Sequence, residues 1–198
     1  MIKVIDNLLD QSYVESIYQE VLERTSWQSN WNDDLTKSPD WNWHQDLGND
    51  KLAVDNDDSS TIENMSDNQR VLWDAVDRVI LDVVGVRHKL DRVYSNAHTY
   101  GQDGQIHRDD GNITAIYYPL PWDVRHEGGT SFYDEEITEC IAYSSYKQNR
   151  LVIFDAEIPH RAMPITRDCY ALRTVIVFKT SMNVNDPTYM DWYYGSRS

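Results

Sequence analysis

The stretch NITAIYYPL, residues 112–120, is a short run of β-branched and aromatic residues closed by Asn112 on one side and Pro119 on the other. That is the composition of a strand bounded by turns. Four further segments share the grammar: RVYSNAHTY (92–100), GGTSFYD (128–134), RLVIFD (150–155) and LRTVIVFKT (172–180), with Gly, Pro, Asn and Asp between them. Upstream the period changes. SDNQ (66–69) reads as a capping box; Leu72, Ala75, Val76, Val79, Ile80 and Val83 then recur on one helical stripe, and Gly85 supplies the stop. SYVE (12–15) reads as a second capping box ahead of Val14, Ile17, Val21 and Leu22. Two helices followed by a run of strands predict a mainly β protein with supporting α-helices, a jelly-roll or cupin-like double sheet backed by the two N-terminal helices.

Between the helices lies SWQSNWNDDLTKSPDWNWHQDLGNDK (26–51), polar and Trp-rich without a clear period, which reads as strand and loop with a mobile tip. Its Trp27, Trp31, Trp41 and Trp43 are expected to pack between helix and sheet rather than to wall a substrate, with a lid over the site as the alternative. DNDDSS (55–60) reads as a solvated loop. With no repeat and no linker, the chain is expected to form one domain: helical and Trp-rich support over 1–90, a jelly-roll core over about 91–182 and a tail over 183–198.

Composition narrows the partners. Thirty-three acidic residues against 18 basic ones leave a net charge of −15 over 198 residues, which argues against nucleic acid or an anionic membrane and admits a peptide, protein or small-molecule substrate. Tyr and Trp number 13 and 7 against 3 Phe; side chains with an apolar body and a polar tip suit a sheet protein with polar cavities. Cys140 and Cys169 are the only cysteines, fitting a reducing compartment better than a disulfide framework. MIKVIDNLLDQ lacks the apolar run of a signal peptide, so a cytoplasmic location is expected. No GxSxG elbow, P-loop, GxGxxG or Cys–His context is present.

GQIHRDDGNIT (104–114) carries the chemistry. Read as a strand, it puts His107 and Asp109 on one face and Asp110 on the other. An H-x-D triplet alone means little in so acidic a chain; a facial metal site needs a third ligand. His160 ends RLVIFDAEIPH, where a buried strand runs into a turn, and two His plus one carboxylate leave metal positions open, as in non-haem Fe(II) oxygenases. Arg173 heads an apolar strand face with Val175 and Val177, where an unpaired guanidinium is costly and a dicarboxylate would answer it bidentately. Lys179 shares that face as a fallback. His44, His88, His98 and His126 have no nameable partner in the sequence.

In order, YGQDGQIHRD, TAIYYPLPW, GGTSF, NRLVIFDAEIPH and Arg173 make the stretch from about Arg92 to Lys179 resemble the iron(II)- and 2-oxoglutarate-dependent dioxygenases, most of all the prolyl-4-hydroxylase-like branch. The resemblance covers roughly half the chain. It implies a double-stranded β-helix core in which His107, Asp109 and His160 bind Fe(II) and Arg173 grips the distal carboxylate of 2-oxoglutarate. Tyr118 resembles the tyrosine whose hydroxyl assists there, and Tyr100 one that lines the same pocket. The implied activity is hydroxylation of a C–H bond with O2, most simply of a prolyl residue in a peptide or protein, with release of succinate and CO2. A free amino acid or small metabolite is the next substrate class, and a cupin-like metalloenzyme without 2-oxoglutarate or a silent binding module stand as rivals. The chain departs from the family at Asn149-Arg150, where Gly-Arg is frequent. An R-x5-R pairing of Arg167 with Arg173, a feature of nucleic-acid demethylating relatives, is set aside on charge.

Overall fold

The computed structural model describes residues 1–23, 27–31, 42–48 and 61–195. Expectations for the loop 55–60, for Trp41, for the side chain of Trp31 and for the tip of the Trp-rich stretch lie outside the described residues.

Among the described residues, ten strands and three α-helices run in the order β1 (Ile2–Asp6), α1 (Gln11–Glu23), β2 (Gln28–Trp31), β3 (Asn42–Leu47), α2 (Asp67–Val84), β4 (His88–His98), β5 (Ile113–Tyr118), β6 (Thr130–Tyr133), β7 (Cys140–Ser144), β8 (Arg150–Asp155), β9 (His160–Ala162), β10 (Arg173–Met182) and α3 (Pro187–Gly195). They build an antiparallel seven-stranded sheet, β1-β8-β5-β10-β4-β3-β2, and a smaller sheet, β7-β6-β9. This is the helix-backed double-stranded β-helix that the sequence predicts.

The period of two along the central strands explains the layering. On β10, Ile176 and Phe178 join Leu72, Trp73, Val76 and Ile80 of α2 and Ile17 and Val21 of α1 in one core. The intervening Val175 and Val177 face the other way, into a second core with Tyr118, Phe132, Val152 and Phe154 between the two sheets. β5 and β8 split their residues in the same manner, so the large sheet is apolar on both faces and buried by helices on one and by the small sheet on the other.

Helix α2 forms as its sequence dictates. The Ser66 hydroxyl accepts from the Gln69 amide, the Gln69 side chain accepts from the Ser66 amide, and Gly85 closes the helix at φ 83°. The first helix differs from expectation: it starts at Gln11, so Ser12 lies in its first turn rather than at the cap, and Val14 donates to the Asp10 carbonyl. Leu22 is exposed, off the Val14–Ile17–Val21 stripe. Glu20 ties the two helices, accepting from Ser66 Oγ at 2.8 Å and Gln69 Nε2 at 2.7 Å. Trp27 packs on the helix-side core as expected, whereas Trp43 is 36% exposed. Cys140 and Cys169 are unpaired. No helix among the described residues is long and apolar enough to cross a membrane.

Candidate metal centre

His107 and His160 are held together by the backbone. Each donates its amide to the other's carbonyl at 3.0 Å, an isolated bridge that clips the 104–111 loop onto the start of β9. Residues 107–111 are therefore not a strand, and alternation is not what separates the two aspartates. Asp109 is drawn inward because its amide donates to the Ala156 carbonyl at 2.9 Å, leaving its carboxylate 3% exposed against 77% for Asp110.

The side chains converge. Nδ1 of His107 sits 2.9 Å from the Gln105 carbonyl and Nδ1 of His160 sits 2.9 Å from the Ile158 carbonyl. A carbonyl accepts only, so each Nδ1 carries the proton and each Nε2 presents a lone pair in the neutral ring. Both Nε2 atoms point at Asp109, at 3.5 Å and 3.4 Å, and one ligand atom from each of the three residues falls within 4.8 Å of the others. Such carbonyl-oriented histidines are the usual outer support of a metal ligand. The donor set of two imidazoles and one carboxylate fits a first-row divalent ion with open positions.

Asp109 has further partners: Thr114 Oγ1 donates to its Oδ2 at 2.7 Å and Lys179 Nζ to its Oδ1 at 2.9 Å. Burial pushes the Asp109 carboxyl up, but His107, His160 and Lys179 outweigh it and hold the group below the usual carboxylate range. Burial takes His160 down to about 4. Both groups thus stand in the protonation state that a metal requires. Burial also pulls His107 down, yet Asp109 carries it above its ordinary value. A raised imidazole pKa means that metal must displace a proton below that value. Affinity for Fe(II) or Zn(II) is therefore expected to fall toward tenfold per pH unit on acidification, and titrations between pH 8 and pH 6 measure it.

A cavity of about 530 Å³ opens beside the three residues. The strand register defines its wall, because Arg173, Val175, Val177 and Lys179 on β10 pair with His98, Asn96, Tyr94 and Arg92 on β4, all on one face. On β3, His44 pairs with Asn96. Apolar Val175, Val177 and Ile116 thus run between the metal end and Arg173.

Arg173 is 1% exposed. Its Nε donates to the Gly128 carbonyl and its Nη2 to the Gly129 carbonyl at 3.4 Å, while Nη1 is buried without a partner among the described residues. Burial pushes this guanidinium down, and an unpaired buried charge is costly. The two glycines that orient it are both required. Gly128 has φ 74°, and a Cβ at Gly129 would collide with the Ser144 carbonyl oxygen, across the β6–β7 pair. Gly129→Ala is expected to cost about 1–3 kcal/mol by overpacking, about 2–12 °C in unfolding midpoint for a chain of this size. Scanning calorimetry checks it.

Tyr118 is fully buried, with its hydroxyl 2.8 Å from Thr130 Oγ1. It stands behind Thr130 and does not itself line the cavity. Tyr100, expected to line the pocket, is 60% exposed and lies outside the lining. β4 ends at His98, and the chain turns away through a Thr99–Gln102 hydrogen bond. Lys179, the fallback for the distal carboxylate, lies beside the His–Asp–His cluster, bound to Asp109 and at 2.8 Å to Asp110. Arg167 is exposed.

His44 and His98 are the residues that the sequence does not single out. His44 is 2% exposed, borders the cavity, and has its ring nitrogens 2.9 Å from Asn96 Oδ1 and 2.9 Å from Asp46 Oδ1. His98 is 3% exposed and borders the same cavity beside Arg173. The period-two run Arg92, Tyr94, Asn96, His98 is the signal that could have found the second.

Neither a family model nor a curated protein matches the chain in sequence. Solved structures do match in fold. A Trichoplax adhaerens prolyl hydroxylase in complex with a hypoxia-inducible-factor peptide fragment superposes with a TM-score of 0.62 at 17% identity, over 89% of this chain and 82% of that one. A Pseudomonas putida prolyl-4-hydroxylase gives 0.64 at 13% identity over 92% of both chains. HygX from Streptomyces hygroscopicus, with nickel and 2-oxoglutarate bound, gives 0.64 at 9% identity, over 92% of this chain and 83% of that one. At these identities the likeness is one of fold.

Proposed function

We propose that this fold carries an Fe(II)- and 2-oxoglutarate-dependent dioxygenase that hydroxylates a C–H bond. His107, Asp109 and His160 would hold the metal, and Arg173 the distal carboxylate of 2-oxoglutarate. The observation that carries the reading is the pairing, in one cavity, of a carbonyl-oriented His–Asp–His cluster with a buried guanidinium whose Nη1 has no partner. A metalloenzyme that works without a dicarboxylate gives no account of that guanidinium, which a neutral side chain would replace at lower cost. The metal, when bound with 2-oxoglutarate and O2, supplies the oxidative chemistry: one oxygen atom enters the substrate C–H bond, the other enters succinate, and CO2 leaves.

The chain's own residues orient the reactants. Arg173, its Nε fixed on Gly128, fixes one end of a dicarboxylate. Val175, Val177 and Ile116 exclude water from its methylene chain. Tyr118 bonds to Thr130 and would hold that hydroxyl toward the carboxylate. Lys179 holds Oδ1 of Asp109 and Thr114 holds Oδ2, so the carboxylate is fixed through both oxygens and would meet the metal with a remaining lone pair. We read the catalytic unit as about 91–182, supported by the preceding helices.

For the substrate, a prolyl residue in a peptide or protein is the first reading, in line with what the two prolyl hydroxylases of the same fold act on. A second reading, a free amino acid or other small polar metabolite, is favoured by the β3–β4 wall, where Asn42, His44, Arg92 and Asn96 line the cavity around the ring of Tyr94. Succinate release over background, with a gain of one oxygen atom by mass, is expected from one of two panels, proline-containing peptides or free amino acids. Peptide turnover supports the first reading and amino-acid turnover the second. Iron-dependent oxidation that proceeds undiminished without 2-oxoglutarate would overturn the cosubstrate assignment.

A further inference from the structure

We propose that His98 is a second cosubstrate-holding residue, an uncharged hydrogen-bond donor that shares the distal carboxylate of 2-oxoglutarate with Arg173; this rests on the function proposed above. The two residues face each other in register across β4 and β10 and both border the cavity. His98 is 3% exposed and Arg173 1%. Each also keeps one buried nitrogen without a partner among the described residues, Nδ1 of His98 and Nη1 of Arg173. A single orphaned polar atom is a defect of about 1–3 kcal/mol. Two of them, on cross-strand partners that border one cavity, call for an absent group with at least two acceptor oxygens.

The chemistry of the imidazole follows from its surroundings. Burial, aided by the Arg173 charge, takes His98 down to about 3, so the ring is neutral and carries one N–H. A half-turn about the Cβ–Cγ bond exchanges Nδ1 with Cδ2 in the same outline, so the ring can present its donor without repacking its neighbours. A neutral donor beside a guanidinium suits one carboxylate. A second fixed cation there would be left uncompensated whenever the pocket emptied. His98 thus makes the pocket selective for an acceptor group at the end remote from the metal, and has no part in the metal's own affinity.

The test compares 2-oxoglutarate with pyruvate, which has the same keto acid but no distal carboxylate. Calorimetric titration of the Zn(II)-loaded protein reads both affinities without turnover. For His98→Phe, 2-oxoglutarate binding is expected to weaken about tenfold, as for one hydrogen bond to a charged group. Pyruvate binding and the Zn(II) affinity should remain as in the parent, and His98→Gln, which restores a donor, should recover part of the loss. Equal 2-oxoglutarate affinity in parent and His98→Phe overturns the proposal, as does an equal loss for both keto acids, which is what a merely structural residue would give. Should the phenylalanine variant fail to fold, 15N-histidine spectra of the parent decide: a His98 ring N–H that becomes protected with 2-oxoglutarate but not with pyruvate supports the role, and one that responds to neither removes it. A parent that binds neither keto acid refutes the function proposed above, a result visible before any variant is made.

Discussion

Asp109→Ala is expected to lower Fe(II) affinity by at least about 100-fold, the upper end of what losing even an outer partner of a metal ligand costs. Asp109 is the sole anion of the three-residue cluster, and its carboxylate is what draws both Nε2 atoms to one point. Its removal does more than delete a ligand. Lys179, 7% exposed, would remain at the metal end with Asp110 alone to compensate it, and an ammonium a few ångströms from a divalent cation opposes binding. Asp109→Asn keeps the shape but not the charge, and is expected to lose nearly as much. Competition with a chromophoric chelator under anaerobic conditions reads both. Wild-type iron affinity in Asp109→Ala would remove the residue from the metal site.

Arg173→Ala is expected to weaken 2-oxoglutarate by about 2–5 kcal/mol, the cost of truncating one side of a buried hydrogen-bonded charge pair, or roughly 30- to several-thousand-fold. Iron affinity should stay unchanged, because no metal-cluster residue bonds to Arg173; its hydrogen bonds go to Gly128 and Gly129. Arg173→Lys preserves charge but cannot reach two carbonyls and a carboxylate at once, so it should fall between parent and alanine. Stability offers an independent readout. The alanine variant of the ligand-free protein sheds an unpaired buried charge but strands two carbonyls, so its unfolding midpoint should move little, while the parent alone gains from added 2-oxoglutarate.

Much of this is legible in the sequence, for reasons that differ by element. β5, β8 and β10 announce themselves because both faces are buried, so each reads as a near-continuous apolar run. β1, β7 and β9 do not. β1 is an edge strand with no fully buried residue, β7 follows an acidic turn, and β9 has only three residues. The metal cluster is legible because His107 and Asp109 are neighbours in sequence and His160 ends a strong strand. What turns Asp109 inward and Asp110 outward is not, since that depends on the bond from the Asp109 amide to Ala156, 47 residues away.

The cavity wall shows the limit more sharply. Tyr100 continues the period of Arg92, Tyr94, Asn96 and His98, but β4 stops at His98 and the ring turns to solvent. Lys179 shares a face with Arg173 yet serves the opposite end of the site. The Asn112 amide, which donates to the Thr180 carbonyl at 2.8 Å, docks the HRDDG turn there. The first is set by the turn at Thr99–Gln102, the second by long-range strand pairing that local composition does not encode.

The central claim is that one cavity binds iron and 2-oxoglutarate together. An anaerobic titration of the metal-free protein with Fe(II) and then 2-oxoglutarate, followed by visible absorption, tests it most directly. The account predicts a weak metal-to-ligand charge-transfer band that appears only with both present, is absent in Asp109→Ala and is shifted to much higher 2-oxoglutarate concentration in Arg173→Ala. Iron binding with no band at any 2-oxoglutarate concentration would contradict it.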